Sequence, residues 1–253
     1  MVPLSFVSME TTRSARLAAA SVHIYTSLGV VLGLLMVHFS YDGDVRTVLW
    51  LFLAAMVIDG SDGFLARHFE VKRVLPGFDG ALLDNIVDYL TYAFAPMVLL
   101  WSCGYLPDGV LGGVTASLPL LASCFQFCRS DAKTDDHFFL GFPSYWNIVA
   151  FYVVVFGWGQ TTTAVLLLVF TVLVFVPVKY VYPSRTATLW TLNMTLAVLW
   201  LVAFAALTAQ VPEPHTWLAI LSLAYPVYYT ALSLWLTFRT VPDRSAPDRG
   251  VPA

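Results

Sequence analysis

"VLWLFLAAMVIDGSDGFLAR", residues 48–67, decides the fold. Its apolar part runs unbroken to Ile58 and then meets Asp59, Asp62 and Arg67. About 20 mostly apolar residues cross the hydrocarbon of a bilayer as a helix. The stretch therefore reads as a membrane helix that carries charge at one end. The rest of the chain agrees. Of its 253 residues, 58% are hydrophobic and 11% charged, against roughly 25% charged in soluble domains. Mean hydropathy is +0.75. The fold class is all-α, a polytopic integral membrane helical bundle.

About eight apolar segments can be drawn, near 18–39, 46–66, 81–102, 109–128, 144–159, 162–182, 188–208 and 216–238. No repeat and no glycine-rich linker divides them, so residues 1–240 read as one domain. Residues 241–253, "PDRSAPDRGVPA" after Val241, are Pro-rich and charged and read as a disordered tail. No short apolar stretch with a cleavage site stands out at the N-terminus, so no removed signal peptide is expected. Cys103, Cys124 and Cys128 form no CxxC pair and read as buried small hydrophobes. A net charge of −3 gives no basic footprint for a nucleic-acid polymer.

Lysine and arginine set the orientation. Arg13 and Arg16, then Arg67, Lys72 and Arg73, then Arg129 and Lys133, then Lys179 and Arg185, then Arg239, Arg244 and Arg249 fall in alternate connections; Arg46 alone falls in the other set. By the positive-inside rule both termini are cytoplasmic, and so is the end of the second segment that carries the aspartates.

Asp59 and Asp62 are three residues apart and share a helix face; Gly80, Asp84 and Asp88 are spaced by four and share another. Each four-residue step rises about 6 Å. If the two helices pack together, all four carboxylates converge. Carboxylates gathered in a low-dielectric site need cations to stay ionised, and hard oxygen ligands favour Mg²⁺ or Mn²⁺. One or two such ions, with Arg67 as a planar cation, suit phosphoryl chemistry. Gly63 and Gly80 remove side chains where a backbone or ligand comes close.

Asp59-x-x-Asp62-Gly63-x-x-Ala66-Arg67 followed by Gly80-x-x-x-Asp84-x-x-x-Asp88 resembles the signature of the CDP-alcohol phosphotransferases. The linker "HFEVKRVLPGFD", residues 68–79, is longer than in most members, and Gly60 follows the first aspartate. Both features are similar to the bacterial phosphatidylcholine synthase branch. So are "SVHIYTSLGVVLGLL", "VKRVLPGFDGALLDNIVDYLTY" and "KTDDHFFLGFPSYWNIVAFY"; the last three segments match less distinctively.

The resemblance implies transfer of a phosphatidyl group from CDP-diacylglycerol to choline, with release of CMP, in the bacterial inner membrane at its cytoplasmic face. It implies that Asp59, Asp62 and Asp84 hold a pair of divalent ions, Mn²⁺ or Mg²⁺. Asp88 helps to hold them and is the general base. Arg67 offsets pyrophosphate charge, while Gly63, Ala66 and Gly80 line the nucleotide site. A homodimer is an assembly the family uses. His23 reads either as a helix-to-helix hydrogen bond or as part of the nucleotide wall, with Thr26 a weaker member of that wall. A quaternary ammonium is bound by aromatic faces, helped by carboxylates. The choline candidates are Tyr145, Trp146, Asp135 and Asn147 in "TDDHFFLGFPSYWN", with Tyr89 and Tyr92 beside the catalytic helix. Lys72, Arg73 and Lys133 read as facing anionic headgroups or fixing topology, with a substrate phosphate a weaker use for Lys133.

Two other readings compete. A sister enzyme would use serine, inositol or glycerol phosphate. The acidic and aromatic stretch 134–147 favours a cationic alcohol over one that carries a second phosphate. A cation transporter with intramembrane carboxylates would have broken helices and paired repeats, and neither is found.

Overall fold

The computed structural model describes residues 12–239. The expected tail 241–253, and Arg244 and Arg249 within it, lie outside the described residues. Helix α1, Arg13–Tyr41, is capped by the Thr12 hydroxyl, which accepts from the Ala15 amide at 3.3 Å. A tight turn leads to α2, Val45–His68, capped by Asp44 through the Thr47 amide at 3.1 Å. A short α3, Val71–Val74, follows. Next come α4, Gly80–Asp88, a π-helical turn over Tyr89–Phe94, and α5, Ala95–Ser102, joined end to end. Pro96 has no N–H to give the Tyr92 carbonyl and its ring crowds it, so the turn there widens.

The second half begins with α6, Gly109–Cys128, and continues with strand β1, Phe138–Leu140. Then come α7, Trp146–Phe156, α8, Gln160–Phe175, and strand β2, Lys179–Val181. The described chain closes with α9, Trp190–Gln210, α10, Thr216–Ser222, and α11, Ala224–Arg239.

The helical membrane architecture is present. Among the described residues five helices are long and apolar enough to cross a bilayer: Arg13–Tyr41, Val45–His68, Gly109–Cys128, Trp190–Gln210 and Thr216–Arg239. Large apolar side chains on their outer surfaces, such as Val110 at 85% exposure and Leu34 at 69%, suit lipid rather than water.

Three details differ from the sequence expectation. Segment 144–159 is helical only over Trp146–Phe156, because Gly157 turns left-handed at its end (φ 60°). At 1.5 Å per residue α7 rises about 16 Å, well short of a hydrocarbon core. It is buried on nearly every side and does not need to meet lipid. Segment 162–182 is helical only to Phe175; Val176 is extended and Pro177 cannot continue the helix, and Lys179–Val181 pairs as a strand with β1 instead. Cys124 and Cys128 are exposed on α6 rather than buried.

Helix α1 holds the first half together. It packs on α2, α4 and the π turn. Gly29 takes the side chain of Val87, and Gly33 lies against Leu90 and Thr91. Between membrane helices close packing replaces the hydrophobic drive, and small residues at the contact allow it. A Gly29→Val substitution should press a branched side chain into Val87. We expect a loss of about 1–3 kcal/mol, read as a clear drop in the thermal midpoint of the detergent-purified protein. Gly159→Ala, in open space, should leave that midpoint unchanged.

Candidate active site

Helix periodicity and the α1 contact bring the end of α2 against α4. Carboxylate oxygens of Asp59, Asp84 and Asp88 lie within 4.8 Å of one another. Asp62 stands one turn beyond Asp59 and is buried. Its Oδ2 accepts from the Thr26 hydroxyl at 2.8 Å. The Tyr92 hydroxyl donates to Asp59 Oδ2 at 2.7 Å. So the structure gathers three of the four expected carboxylates into one cluster and holds the fourth on α1. Thr26 thereby positions the Asp62 carboxylate.

Three carboxylates this close lose hydration and repel one another. Among the described residues Lys133 reaches them, its Nζ 3.7 Å from Asp84 Oδ2. Burial disfavours the Lys133 ammonium, but Asp84, Tyr182, Asp88 and Asp59 outweigh burial and raise its pKa, so it is charged at neutral pH. One ammonium does not offset three carboxylates. A set of hard oxygen donors fits Mg²⁺ or Mn²⁺. Asp59, Asp84 and Asp88 have the convergence such an ion needs, with Asp62 one turn away.

Beyond the cluster, glycines stand on both helices, Gly60 and Gly63 on α2 and Gly80 on α4. A side chain at Gly80 would come within 2.8 Å of His23 Cε1, so the imidazole lies directly on the start of α4. The Phe78 ring lies tilted against the same imidazole, ring centroids 4.2 Å apart. His23 Nε2 is buried without a hydrogen-bond partner among the described residues. Gly60 faces open space, and the Arg67 guanidinium folds back over Gly63, 3.4 Å from where a Cβ would stand. Arg67 is exposed and makes no ion pair among the described residues. Ala66 packs beside Val22, Val71 and Val74, so the long linker is anchored on α1.

No protein-family model matches the chain. Relatives do. It is 42% identical over 228 residues to the phosphatidylcholine synthase of Legionella pneumophila, covering 87% of this chain and 89% of that protein. It is 34% identical to the phosphatidylcholine synthase of Pseudomonas aeruginosa, covering 92% and 98%, and 32% identical to that of Borreliella burgdorferi, covering 87% and 94%. This chain belongs to the phosphatidylcholine synthase family.

In this member of the phosphatidylcholine synthase family the expected aromatic residues divide. Tyr145 stands near the cluster, its ring 6.0 Å from that of Tyr92 and 6.4 Å from those of Phe139 and Tyr229. Trp146 lies in the core. It is fully buried and its indole N–H donates to Ser123 at 2.7 Å, so core packing uses the whole side chain. Tyr89 serves the contact with α6: its ring meets Phe127 edge to face and its hydroxyl donates to the Leu120 carbonyl at 3.4 Å. Asn147 is buried with its amide nitrogen unpartnered among the described residues, while Asp135 is exposed.

Tyr182 and Tyr229 were missed by sequence reasoning. The Tyr182 ring lies tilted against Phe139, centroids 4.5 Å apart, and Tyr229 reaches Tyr145. The tyrosine-rich stretches "KYVYP" and "YPVYYT" were the available signal, but both sit at the ends of apolar segments, where aromatics ordinarily mark the interface.

Thr26→Val should leave the buried Asp62 carboxylate short of a donor. A hydrogen bond to a charged group contributes about 1.5–3 kcal/mol, so Mn²⁺ affinity, followed by electron paramagnetic resonance of the free ion, should fall roughly tenfold. Thr26→Ser should keep it.

Proposed function

We propose that this chain is a CDP-diacylglycerol–choline phosphatidyltransferase, making phosphatidylcholine and CMP at the cytoplasmic face of a bacterial inner membrane. The observation that carries the reading is the convergence of Asp59, Asp84 and Asp88 at the joined ends of two membrane helices, in a chain whose relatives are named phosphatidylcholine synthase. A lipid-anchored pyrophosphate and a water-soluble alcohol can meet only at such an interface. Eight crossings belong to the same reading: the five long helices, the run Gly80–Ser102, α8, and the segment 144–159, in which the short α7 and the non-helical residues at its ends cross enclosed in protein. The basic residues of alternate connections then lie with both termini in the cytoplasm. A single domain and a homodimer complete it.

Asp59, Asp62, Asp84 and Asp88 would hold one or two Mn²⁺ or Mg²⁺ ions, which supply charge neutralisation at the pyrophosphate. Asp88 takes the choline hydroxyl proton. The choline oxygen forms its bond to the lipid-side phosphorus as the bond to the CMP oxygen breaks, and CMP leaves with that electron pair. Tyr92 holds Asp59 and Thr26 holds Asp62 in the orientation this needs. Arg67 offsets charge on the phosphates. Gly63, Ala66 and Gly80 leave room for the nucleotide, and His23 Nε2 offers it a hydrogen bond. Tyr145 and Tyr92 give the trimethylammonium aromatic faces, with Asp135 and Asn147 nearby in the chain; Trp146 supports Tyr145 from the core.

Membranes supplied with CDP-diacylglycerol, labelled choline and Mn²⁺ should form phosphatidylcholine and CMP. Asp88→Asn should lower that rate by roughly 10²–10⁴-fold, the usual weight of a general base. A CMP-coupled product from serine, inositol or glycerol phosphate, with none from choline, would overturn the acceptor. In the same assay Tyr145→Ala should raise the choline KM on the order of tenfold, as expected for a desolvated cation–π contact. The KM for CDP-diacylglycerol should stay as it was; an unchanged choline KM would remove Tyr145 from the pocket.

A further inference from the structure

Lys133 lies between α6 and β1, in sequence well away from the helices that carry the aspartates. The backbone around it is nonetheless fixed. The Leu140 amide donates to the Ala132 carbonyl at 3.0 Å and the Thr134 amide to the Phe138 carbonyl at 2.9 Å. Between them Lys133 pairs with Phe139 in an antiparallel bridge. Phe139 pairs in turn with Tyr180 of β2. Directly paired residues project from one face of a sheet, and their neighbours from the other. One face of this small ribbon therefore carries Lys133, Phe139 and Tyr180. The opposite face carries Phe138 and Val181, which pack with Leu232 and Leu236 of α11.

Helix α11 also holds the ribbon by hydrogen bonds. Ser233 Oγ accepts from the Val181 amide at 3.0 Å and Thr237 Oγ1 from the Lys179 amide at 2.9 Å. The Tyr229 hydroxyl donates to the Val181 carbonyl at 2.9 Å. Lys179 adds an ion pair to Asp136 at 2.6 Å. A strand edge anchored in this way directs the face that bears Lys133 toward Asp84, and the ammonium arrives within 3.7 Å of its carboxylate.

We propose that Lys133 is a substrate-binding residue that holds a phosphate oxygen of the CDP-linked lipid beside the carboxylate cluster, and that the β1–β2 ribbon delivers it there. This rests on the phosphatidyl-transfer reading of the site. A pyrophosphate brings negative charge to a place that already holds three carboxylates, and the half-exposed Lys133 ammonium on its edge offsets that repulsion. Lysine serves as a compact point charge for phosphate. Choline is itself a cation and gains nothing from Lys133, so the contact belongs to the nucleotide-lipid half of the reaction. The same ammonium repels a divalent ion on the same carboxylates. Lys133 therefore weakens metal binding while it strengthens lipid-nucleotide binding. A lysine with a purely structural role would not separate the two.

The test uses the purified full chain in nanodiscs of zwitterionic lipid, with Lys133→Gln and Lys133→Arg. Mn²⁺ affinity is read by electron paramagnetic resonance without substrate, and both KM values from CMP release. In Lys133→Gln, Mn²⁺ should bind several-fold tighter, the KM for CDP-diacylglycerol should rise about tenfold, and the choline KM should stay within twofold. Lys133→Arg should restore the KM for CDP-diacylglycerol to within a few-fold of wild type.

An unchanged KM for CDP-diacylglycerol in Lys133→Gln, or weaker Mn²⁺ binding, overturns the proposal while an active wild type keeps the reading of the reaction. A wild type that releases no CMP with any alcohol overturns that reading and the Lys133 assignment with it. Should Lys133→Gln not fold, the double variant Ser233→Ala/Thr237→Val, which loosens β2 and keeps the lysine, should raise the same KM; an unchanged value there overturns the proposal.

Discussion

Mutual repulsion of carboxylates is the constraint on which the rest of this structure depends. Asp59, Asp84 and Asp88 come within 4.8 Å of one another at the ends of apolar helices, where water screens little. Helix packing must hold them there against their charge. Helix α1 provides that hold. It takes Val87 at Gly29, rests Gly33 on Leu90, gives the Thr26 hydroxyl to Asp62 and lays His23 on Gly80. The residues that set the spacing between α2 and α4 are thus on a third helix, and they work through absent side chains as much as through contacts.

The second half of the chain adds what the aspartate helices lack. Helix α7 is enclosed, with Trp146 and Phe151 fully buried, and it fixes Tyr145 at its start beside Tyr92. The β1–β2 ribbon, tied to α11, brings Lys133 to Asp84. An acidic centre assembled from one half therefore meets cationic and aromatic groups supplied by the other. Division of this kind suits the proposed reaction, in which a pyrophosphate and a quaternary ammonium need opposite surroundings.

Much of the acidic centre was legible because helix periodicity is local. Residues three or four apart share a face whatever surrounds them, so the two aspartate pairs, Gly80 and the membrane helices that carry them could be read directly. The aromatic side could not be read in the same way. Tyr145 and Trp146 are adjacent in "FPSYWN", yet one stands near the carboxylates and the other donates to Ser123 in the core. Lys179–Val181 looked like the end of a membrane span because an apolar run of a few residues has no period of its own; its partner strand lies about 40 residues earlier.

What the sequence determined by itself is the membrane class, the carboxylate motif and the family, since composition, helical spacing and a long signature are properties of neighbouring residues. Tertiary structure alone decided which carboxylates share one cluster and that Thr26 holds the fourth. It also decided which aromatic rings gather around Tyr145 and that Lys133 reaches Asp84. Each of these is a contact between segments distant in the chain. Such contacts are set by how glycine-lined helices and a two-strand ribbon pack, which no local spacing encodes.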